Sequence, residues 1–553
     1  MNPTHPPLMS THEVFNQAPP LEDSNLYARN LALQEALARE GAGGAHDWMS
    51  ARGAELGSAA MILKAVQANK YPPTLKLFDN AGNRRDEVEF HPSYHELMAY
   101  LKRHGASSEP WSKPGPGAHV RRAAFYMMVA EIEGGALCPT TMTYAVVPAI
   151  ARDAPLAAEW LPRIYSQDYD PRFLPAQQKR GVTLGMGLTE KQGGSDVRAN
   201  TSRAEPVNAD AASREYRIVG HKWFFSAPMC DAFLVLAHSP GGLSCFLLPR
   251  FTPDGRLNEI RIQRLKDKLG DRSNAGSEVE FWGASAWLVG EEGRGVPTIL
   301  EMGTYCRLDC ALGTAGLMRQ SVSQALHHAR HRSAFGRLLA DQPLMKNVLA
   351  DLAIESEAAT VLALRLARAF DQQDEQAAAL RRMLTPAAKY WICKRGPMVG
   401  AEAMEVLGGN GYIEDGTMAR IYRQMPLNSI WEGSGNVMCL DVLRAFAKQP
   451  RILEALAAEL APALGRDPRL DKFCARLKDE LLRPEDVEAR SRLLTQNIAL
   501  AVQGALLVRF TPEAVSDAFC ASRLSDTGYG GAAFGTLPGN SGFASILERA
   551  WPS

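Results

Sequence analysis

The 553-residue sequence predicts a mainly helical protein with an antiparallel β-domain inserted between two helical regions. Ala- and Leu-rich helical patterns dominate before about residue 180, and short β-branched and aromatic runs follow between 181 and 294. Long helical patterns return from residue 295. We therefore divide the chain into an N-terminal arm (1–25), a helical domain (26–180), a β-domain (181–294), a second helical domain (295–445) and a C-terminal helical extension (446–553).

The composition is that of an ordinary folded protein. Basic and acidic residues balance at 61 each, and 46% of residues are hydrophobic, which argues against disorder or a polycationic arm. The nine cysteines are scattered without a CxxC pair, so we expect reduced thiols and no metal site. The N-terminus lacks the features of a secretory signal, and no apolar stretch is long enough to predict a membrane span. We therefore expect a cytoplasmic protein that does not enter a membrane.

The N-terminal arm and the helical domain that follows it differ in composition. Residues 1–25 are rich in Pro, His and Asn, which indicates an irregular arm of the kind that packs on neighbouring chains. Helical patterns follow, for example at Asn30–Glu40 and Val120–Gly134, and strand signals are sparse.

The β-domain should contain about six strands. The gaps between them are too short for crossover helices, which predicts antiparallel connections. The strands are expected at Val182–Thr189, Glu215–Ser226, Ala232–His238, Leu243–Arg250, Asn258–Leu265 and Ser277–Gly290.

The helices after Gly295 carry start and stop signals. Thr385 is a plausible N-cap with Pro386 at the first helical position, and Gly408-Gly409 is a plausible end. The predicted helices are Val296–Arg330, Pro343–Asp371, Pro386–Leu407 and Val437–Lys448.

The loop Gly187–Asp196 follows a predicted strand and contains several glycines. Turn glycines expose backbone N–H groups, and Thr189 and Ser195 add hydroxyls, so the loop could hold an anionic or carbonyl-rich ligand. A plain turn of the same composition is the alternative.

Three aromatic residues lie in a row within the strand Gly220–Ser226. Alternation predicts that Trp223 and Phe225 share one face, while Phe224 shares the other with Lys222 and Ser226. An aromatic beside a hydroxyl would suit a planar ring, whereas three aromatics filling a sheet core is the alternative.

Two further motifs lie at helix boundaries. Arg332, Phe335 and Gln342 stand at the break between two long helices, where an Arg and an amide could hold a phosphate or simply form a solvated loop. The segment Glu405–Tyr412 precedes Ile430–Asn436, in which Glu432 sits between an aromatic and glycines. A carboxylate at this position could act as a desolvated general base. The alternative is that it is an ordinary acidic residue at a helix N-terminus.

The four motifs, in this order and on this plan, closely resemble the acyl-CoA dehydrogenase flavoprotein family. The resemblance spans about Leu26 to Arg444. Gly187–Asp196 matches the first family signature, and Glu405–Tyr412 matches the core of the second, with Gln424 at its closing position. The implied fold is a helical domain, a β-barrel and a four-helix-type domain, here with a C-terminal extension.

The resemblance also implies FAD as the cofactor and assigns individual contacts. Thr189 and Ser195 would contact the isoalloxazine ring and the phosphates, Ser226 would lie near flavin N5, and Phe224 would lie against the ring. The other expected cofactor contacts are Met186, Leu188, Gly194, Phe225, Trp431, Gly433, Ser434 and Asn436.

Some implied contacts belong to another subunit. Arg332, Phe335 and Gln342, together with the turn at Gly408 and Gly409, would reach the FAD of a neighbouring chain, so the resemblance implies an oligomer, with a homotetramer expected.

Glu432 occupies the position of the family's catalytic base, which removes the α-proton of an acyl-CoA. Some members place the base near Arg307, but the corresponding residue here is Cys306, which leaves Glu432 as the candidate. In a DNA-binding subgroup of the family, an Arg at the position of Arg444 narrows the acyl channel. A buried guanidinium there would disfavour an apolar acyl chain.

The extension and three strings in the body of the chain, at 133–143, 186–195 and 428–436, resemble that subgroup, which is thought to protect DNA from alkylating agents and to have weak, isovaleryl-CoA-like dehydrogenase activity. The resemblance therefore implies double-stranded DNA as a partner, bound with little sequence specificity. Residues 441–553 contain 14 basic and 14 acidic residues, so composition alone does not predict a DNA-binding domain. Two alternatives are an acyl-CoA dehydrogenase for short or branched chains, whose extension serves assembly, and a structural flavoprotein without turnover.

Overall fold

The computed structural model describes residues 13–208, 214–526 and 532–552. Residues 13–25 are irregular, as predicted. The N-terminal helical region also contains a two-stranded antiparallel hairpin that the sequence did not predict, β1 (Thr74–Phe78) and β2 (Arg84–Glu89). Its helices are α1 (Leu31–Leu37), α2 (His46–Leu56), α3 (Ala59–Lys70), α4 (Pro92–Arg103), α5 (Glu109–Ser112), α6 (Ala118–Ile132), α7 (Leu137–Ala145), α8 (Val147–Ile150) and α9 (Ala154–Tyr165).

The β-domain is a closed ring of five strands with one further strand on each of two members. The ring runs β6–β4–β5–β9–β7 and back to β6, with β3 beside β6 and β8 beside β9. The seven strands are β3 (Leu184–Gly187), β4 (Arg203–Pro206), β5 (Glu215–Ser226), β6 (Ala232–Ser239), β7 (Gly242–Pro249), β8 (Ile260–Leu265) and β9 (Gly276–Val289).

Two predictions for the β-domain were wrong. β4 was missed because its sequence, Arg-Ala-Glu-Pro, carries no β-branched or aromatic residue and buries only Ala204. The pairing is also not wholly antiparallel, since β3 and β4 both run parallel to β6. Loops and further strands between these partners supply the crossover that a helix usually provides.

Long helices form the core of the second helical domain. A two-residue hairpin, β10 (Ser333–Ala334) with β11 (Arg337–Leu338), separates the first two. The helices are α10 (Gly295–His331), α11 (Pro343–Asp371), α12 (Glu375–Leu407), α13 (Gly409–Tyr412), α14 (Thr417–Gln424) and α15 (Gly435–Lys448).

The predicted start of α12 at Pro386 was wrong. Asp374 caps the helix by accepting a hydrogen bond from the Ala377 N–H, and α12 continues through both Pro386 and Pro397. The Thr385 hydroxyl instead donates to the Arg381 carbonyl inside the helix. The predicted end at Gly408 is confirmed, because Gly408 has φ +61° and leaves the helical path.

The C-terminal extension packs into the same core as the long helices. Arg523 pairs with Asp351 and Glu355 of α11, and Glu355 also binds Arg395 of α12, all of them buried. Its apolar residues join the main hydrophobic cluster, so the core has no break at residue 446. The helices are α16 (Arg451–Leu460), α17 (Pro468–Leu482), α18 (Ser491–Phe510), α19 (Glu513–Phe519) and α20 (Phe543–Ala550).

Among the described residues, α18 alone is long and apolar enough to pass a test for a membrane-spanning helix. Within its most apolar window, 67% of residues are buried against the rest of the protein. Its apolar character is that of a core helix.

Candidate active site

The loop after β3 is shaped by close packing at its glycines. A Cβ on Gly187 would lie 2.5 Å from the Phe225 ring, and one on Gly194 would lie 2.4 Å from the Thr189 hydroxyl oxygen. Met186 is buried and Leu188 is half-buried, whereas Ser195 is exposed. Gly187 therefore lets the loop pack against Phe225 of β5, and Gly194 lets the loop fold back onto Thr189.

A buried ion pair between Glu190 and Lys222 anchors this loop to the barrel. The Lys222 Nζ lies 2.8 Å from Glu190 Oε1, donates a second hydrogen bond to the Leu236 carbonyl, and both side chains are fully buried. The Glu190 carboxylate also accepts hydrogen bonds from the backbone and hydroxyl groups of Thr201 and Ser202. Burial alone would raise the pKa of Glu190, but Lys222 and these donors hold it well below its usual value.

This pair was not predicted from the sequence. Glu190 lies inside the signature loop and Lys222 inside an apolar strand, and a lysine in a strand with buried neighbours was the signal that could have found them.

The aromatic run on β5 does not alternate as predicted. The pairing of β5 with β9 shifts register between Lys222 and Phe225, and this bulge places both of those side chains in the interior. Phe225 packs against Phe233 with ring centroids 4.3 Å apart. Phe224 is 57% exposed beneath the Lys266 ammonium, so it does not share a face with Lys222.

Three hydroxyls beside this loop are free of partners. Those of Thr189, Ser195 and Ser226 make no hydrogen bond to any residue that the structure describes. Uncommitted hydroxyls, loop N–H groups and the exposed Phe224 ring together suit the polar edge and the flat face of a flavin. The donor set therefore fits FAD.

Glu432 lies on a turn that two helices hold by its backbone. The Lys389 Nζ of α12 donates to the carbonyls of Trp431 (2.7 Å) and Gly433 (2.5 Å), and the Arg307 Nε of α10 donates to the Glu432 carbonyl (3.0 Å). Glu432 itself has φ +58°, a conformation that a non-glycine residue adopts only at some cost in energy. This strain is typical of a functional position.

The Glu432 carboxyl is poorly solvated. Burial raises its pKa, and Arg307 and Lys389 offset only part of that rise. A Cβ on Gly303 would lie 4.0 Å from Oε2, so the absent side chain leaves room beside the carboxyl. The nearby Cys306 thiol is buried and its own pKa is raised by burial and by Glu432, which keeps it protonated. Of these two groups, Glu432 is therefore the one suited to accept a proton.

The predicted place of Arg444 in the substrate channel stays a prediction. Arg444 is exposed on α15 in the single chain. Arg307, which donates to the Glu432 carbonyl, also binds the Asp441 carboxylate at 2.9 Å, and Arg382 binds the same carboxylate at 2.7 Å. Asp441 balances part of the Arg307 charge, and the remainder still opposes the rise in the Glu432 pKa.

The other predicted contacts lie elsewhere. Arg332, Phe335 and Gln342 surround the β10–β11 hairpin, where Gln342 Nε2 donates to the Ala334 carbonyl and Phe335, with φ +53°, is 98% exposed. Gly408 and Gly409 are exposed at the end of α12. Near Glu432, Ser434 is the N-cap of α15 without a side-chain hydrogen bond, and Asn436 Oδ1 accepts from the Arg492 Nε of α18.

The predicted residues thus form two clusters. The flavin-loop cluster comprises Met186–Ser195, Phe224–Ser226 and Trp431–Asn436, and its apolar members Met186, Leu188, Phe225 and Trp431 pack in one hydrophobic core. The hairpin cluster comprises Arg332, Phe335, Gln342, Gly408 and Gly409. Helix α10 connects the two clusters, since Gly303 lies beside Glu432 and the helix ends just before Arg332. At 1.5 Å per residue, the length of α10 from Gly303 to its end is roughly 40 Å, which separates the two clusters.

Family models match three consecutive parts of the chain. They are described as the adaptive response protein AidB N-terminal domain (residues 16–171), the acyl-CoA dehydrogenase middle domain (185–283) and the acyl-CoA dehydrogenase C-terminal domain (293–447). The chain is 47% identical to AidB of Escherichia coli (strain K12) over 521 residues, which cover 94% of this chain and 95% of that protein. It belongs to the acyl-CoA dehydrogenase family.

Solved structures agree with this assignment. Caenorhabditis elegans ACDH-11 in complex with C11-CoA matches with a TM-score of 0.84 and 26% identity, over 95% of this chain and 96% of that chain. An acyl-CoA dehydrogenase from Bacillus anthracis complexed with FAD shares the fold, with a TM-score of 0.63 and 17% identity, over 78% of this chain and 80% of that chain. The predicted fold, FAD cofactor and acyl-CoA dehydrogenase-type chemistry are thereby confirmed.

Proposed function

We propose that this dehydrogenase oxidises short or branched acyl-CoA thioesters weakly, with Glu432 as the base, and serves the adaptive response to DNA alkylation. The observation that carries the first part is the environment of Glu432. Its carboxyl is poorly solvated and lies on a strained turn held by Lys389 and Arg307. A base that must take a weakly acidic proton next to a thioester carbonyl benefits from such a raised pKa.

The chain's own part of the reaction is a proton transfer. A Glu432 carboxylate oxygen takes the α-proton of the acyl thioester, so that an O–H bond forms as the Cα–H bond breaks. Bound FAD supplies the acceptor for the β-hydride, which completes the two-electron oxidation to the α,β-enoyl thioester. The flavin-loop cluster would hold the cofactor, with Thr189, Ser195 and Ser226 as hydrogen-bonding partners.

Anaerobic titration with isovaleryl-CoA tests this activity. The wild-type flavin should bleach, and Glu432→Gln should abolish bleaching while FAD stays bound, because the amide cannot accept the proton. Glu454→Gln, an exposed substitution on α16, should bleach like wild type. A wild-type flavin that stays oxidised would contradict the proposed activity and favour a structural flavoprotein.

We also propose a homotetramer in which each FAD is completed by a neighbouring chain. The roughly 40 Å between the two clusters supports this, because residues expected at one cofactor lie far apart in one chain. The exposed Phe335, Leu344 and Tyr412, at 98%, 76% and 79% exposure, offer apolar contacts at the hairpin end. Light scattering of the purified protein measures the assembly, and a monomer that retains FAD would contradict it.

DNA binding is the second proposed function, and similarity to AidB with its adaptive-response domain supports it. Three of the four basic residues on α17 are paired with carboxylates, and the fourth, Lys478, is exposed. Lys472 and Arg476 both contact Asp526, and Arg469 contacts Asp467 and Asp517. We therefore expect weak, salt-sensitive binding to phosphates with little sequence specificity, in a protein located in the cytoplasm.

Fluorescence anisotropy with a labelled DNA duplex tests this second function. Affinity should fall steeply between about 50 and 200 mM salt, and Lys472→Glu should weaken it further if α17 contacts DNA. Lys76→Glu is a matched control, because Lys76 is also exposed and paired, with Glu89 on the distant β1–β2 hairpin. No binding at the low-salt end of this range would exclude DNA as a partner.

A further inference from the structure

The N-terminal arm joins the two parts of the hairpin cluster. Asn16 contacts the β10–β11 hairpin, and the next residue, Gln17, accepts a hydrogen bond from Asn410 beside Gly408 and Gly409 (3.3 Å). Farther along the arm, the Pro19 carbonyl lies 2.8 Å from the His327 Nε2 near the end of α10. One short irregular segment thus connects α10, the hairpin and the end of α12.

The Asn16 side chain takes the place of a neighbouring strand at the hairpin edge. Its Nδ2 donates to the Ser333 carbonyl (2.9 Å), and its Oδ1 accepts from the Ser333 N–H (2.7 Å). An edge strand presents one donor and one acceptor at each such residue, and a primary amide offers both complements in one plane. Asp would supply only the acceptor, and Ala neither.

The Asn16 backbone also contacts Arg332. The Asn16 carbonyl accepts a hydrogen bond from Arg332 Nη1 (2.6 Å), which fixes one side of the guanidinium, and its other N–H groups bind none of the residues that the structure describes. Asn16 itself has φ +55°, a left-handed conformation that Asn tolerates better than most residues. The turn it forms presents its side chain to Ser333 and its carbonyl to Arg332 together.

We propose that the N-terminal arm is a positioning element for FAD, in which Asn16 orients Arg332 and the hairpin, and Gln17 holds the turn at Gly408–Asn410. This inference rests on the proposed assembly, in which the hairpin cluster completes the cofactor site of a neighbouring chain. Asn16 is a positioning residue, since it acts through Arg332 and Ser333 and not on the cofactor itself.

The rate of FAD release from the intact assembly tests the proposal, with the visible spectrum of the bound flavin as a second readout. Asn16→Ala should release FAD about tenfold faster, because it removes two hydrogen bonds to the hairpin. It should also alter the flavin spectrum while leaving the thermal stability of the apoprotein unchanged. Asn16→Asp, which keeps the acceptor but loses the donor, should fall between Asn16→Ala and wild type.

Glu13→Ala is the control, since Glu13 is exposed on the same arm. It should match wild type in release rate and spectrum. An Asn16→Ala protein that stays tetrameric and releases FAD at the wild-type rate would overturn the inference, as would equal effects of Glu13→Ala and Asn16→Ala. A wild-type protein that is monomeric would instead overturn the proposed assembly. A wild-type flavin that is not bleached by acyl-CoA would overturn the proposed activity.

Discussion

The flavin-loop cluster and the hairpin cluster are held in very different ways. In the flavin-loop cluster, buried charged side chains hold the backbone. Glu190 and Lys222 form a buried ion pair, and Lys389 donates hydrogen bonds to the backbone of the Glu432 turn. In the second, hydrogen bonds from a half-exposed arm hold a hairpin whose Phe335 points into solvent. The flavin-loop cluster is therefore organised within one chain, and the exposed hairpin fits the proposed assembly, in which a neighbouring chain would cover it.

Breaking the buried pair of the flavin-loop cluster should have the largest effect. Lys222→Met leaves Glu190 buried without its counter-charge and should cost about 3–5 kcal/mol of unfolding free energy, with loss of FAD. Urea unfolding and flavin content measure both. The double variant Lys222→Met/Glu190→Gln should recover part of the loss.

The exposed pair Lys76–Glu89 provides the control for that experiment. Lys76→Met should change the unfolding free energy by less than about 1 kcal/mol, because exposed ion pairs contribute little. Equal effects of Lys222→Met and Lys76→Met would show that the buried pair does not organise the loop.

Loosening the Glu432 turn should have the next largest effect. Lys389→Met removes two hydrogen bonds from a buried ammonium and should lower kcat about thirty- to hundredfold, or about 2–3 kcal/mol, while FAD stays bound. Steady-state kinetics and flavin absorbance separate the two quantities. Lys448 is exposed at the end of α15, so Lys448→Met should leave kcat unchanged. An unchanged kcat in Lys389→Met would show that the hydrogen bonds from Lys389 to the turn are not needed for the reaction.

A change at the hairpin should alter assembly more than folding. Phe335→Ser should make the free energy of association of the tetramer less favourable by about 2 kcal/mol for each interface that buries the Phe335 ring. The reason is that burial of this apolar ring on association is lost in the variant. Light scattering over a dilution series measures this. Phe78→Ser, 53% exposed on β1, should leave the assembly intact, and dissociation caused by Phe78→Ser alone would place the interface elsewhere.

The smallest predicted effect concerns Glu131, which is buried in α6 beside Arg319 of α10. Burial raises its pKa to about 8, and Arg319 opposes this rise. Because the folded state holds this proton more tightly than the unfolded state, stability should fall as pH rises from about 4.5 to about 8.

Glu131→Gln should remove that part of the pH dependence, so that the free energy of unfolding of the variant falls less than that of the wild type as pH rises towards about 8. Thermal melts between about pH 5 and pH 8 measure the slope. Glu548→Gln, exposed on α20, should keep the wild-type slope, and a wild-type slope in Glu131→Gln would assign the effect to another group.

Much of the fold followed from local patterns. The helix Pro343–Asp371 was predicted at its observed bounds, since Pro at its first position and an apolar stripe mark it unambiguously. The start of α12 was wrong because Pro386 mimics a helix start although Asp374 caps the helix eleven residues before Thr385. The bulge at Lys222–Phe225 depends on pairing with β9, which no local pattern contains.

The candidate catalytic and cofactor-binding residues could be predicted from the sequence, but the residues that hold them in place could not. Glu432 and the Gly187–Asp196 loop carry their own sequence signals. Lys389, Arg307 and Asn16 act through contacts to residues 42, 125 and 317 positions away, and only the folded chain brings them together. The exposure of Arg444 likewise depends on how α15 packs.

Glu432 is the proposed catalytic base, and the rate of flavin reduction by isovaleryl-CoA as a function of pH tests this role. The wild-type rate should rise with pH through a midpoint above the usual glutamate pKa of about 4.5, because burial raises the pKa of Glu432 and only its carboxylate accepts the proton. Glu432→Gln should lower the rate by roughly a thousandfold and remove this pH dependence. A Glu432→Gln protein that reduces its flavin at the wild-type rate, with the same pH profile, would contradict the account.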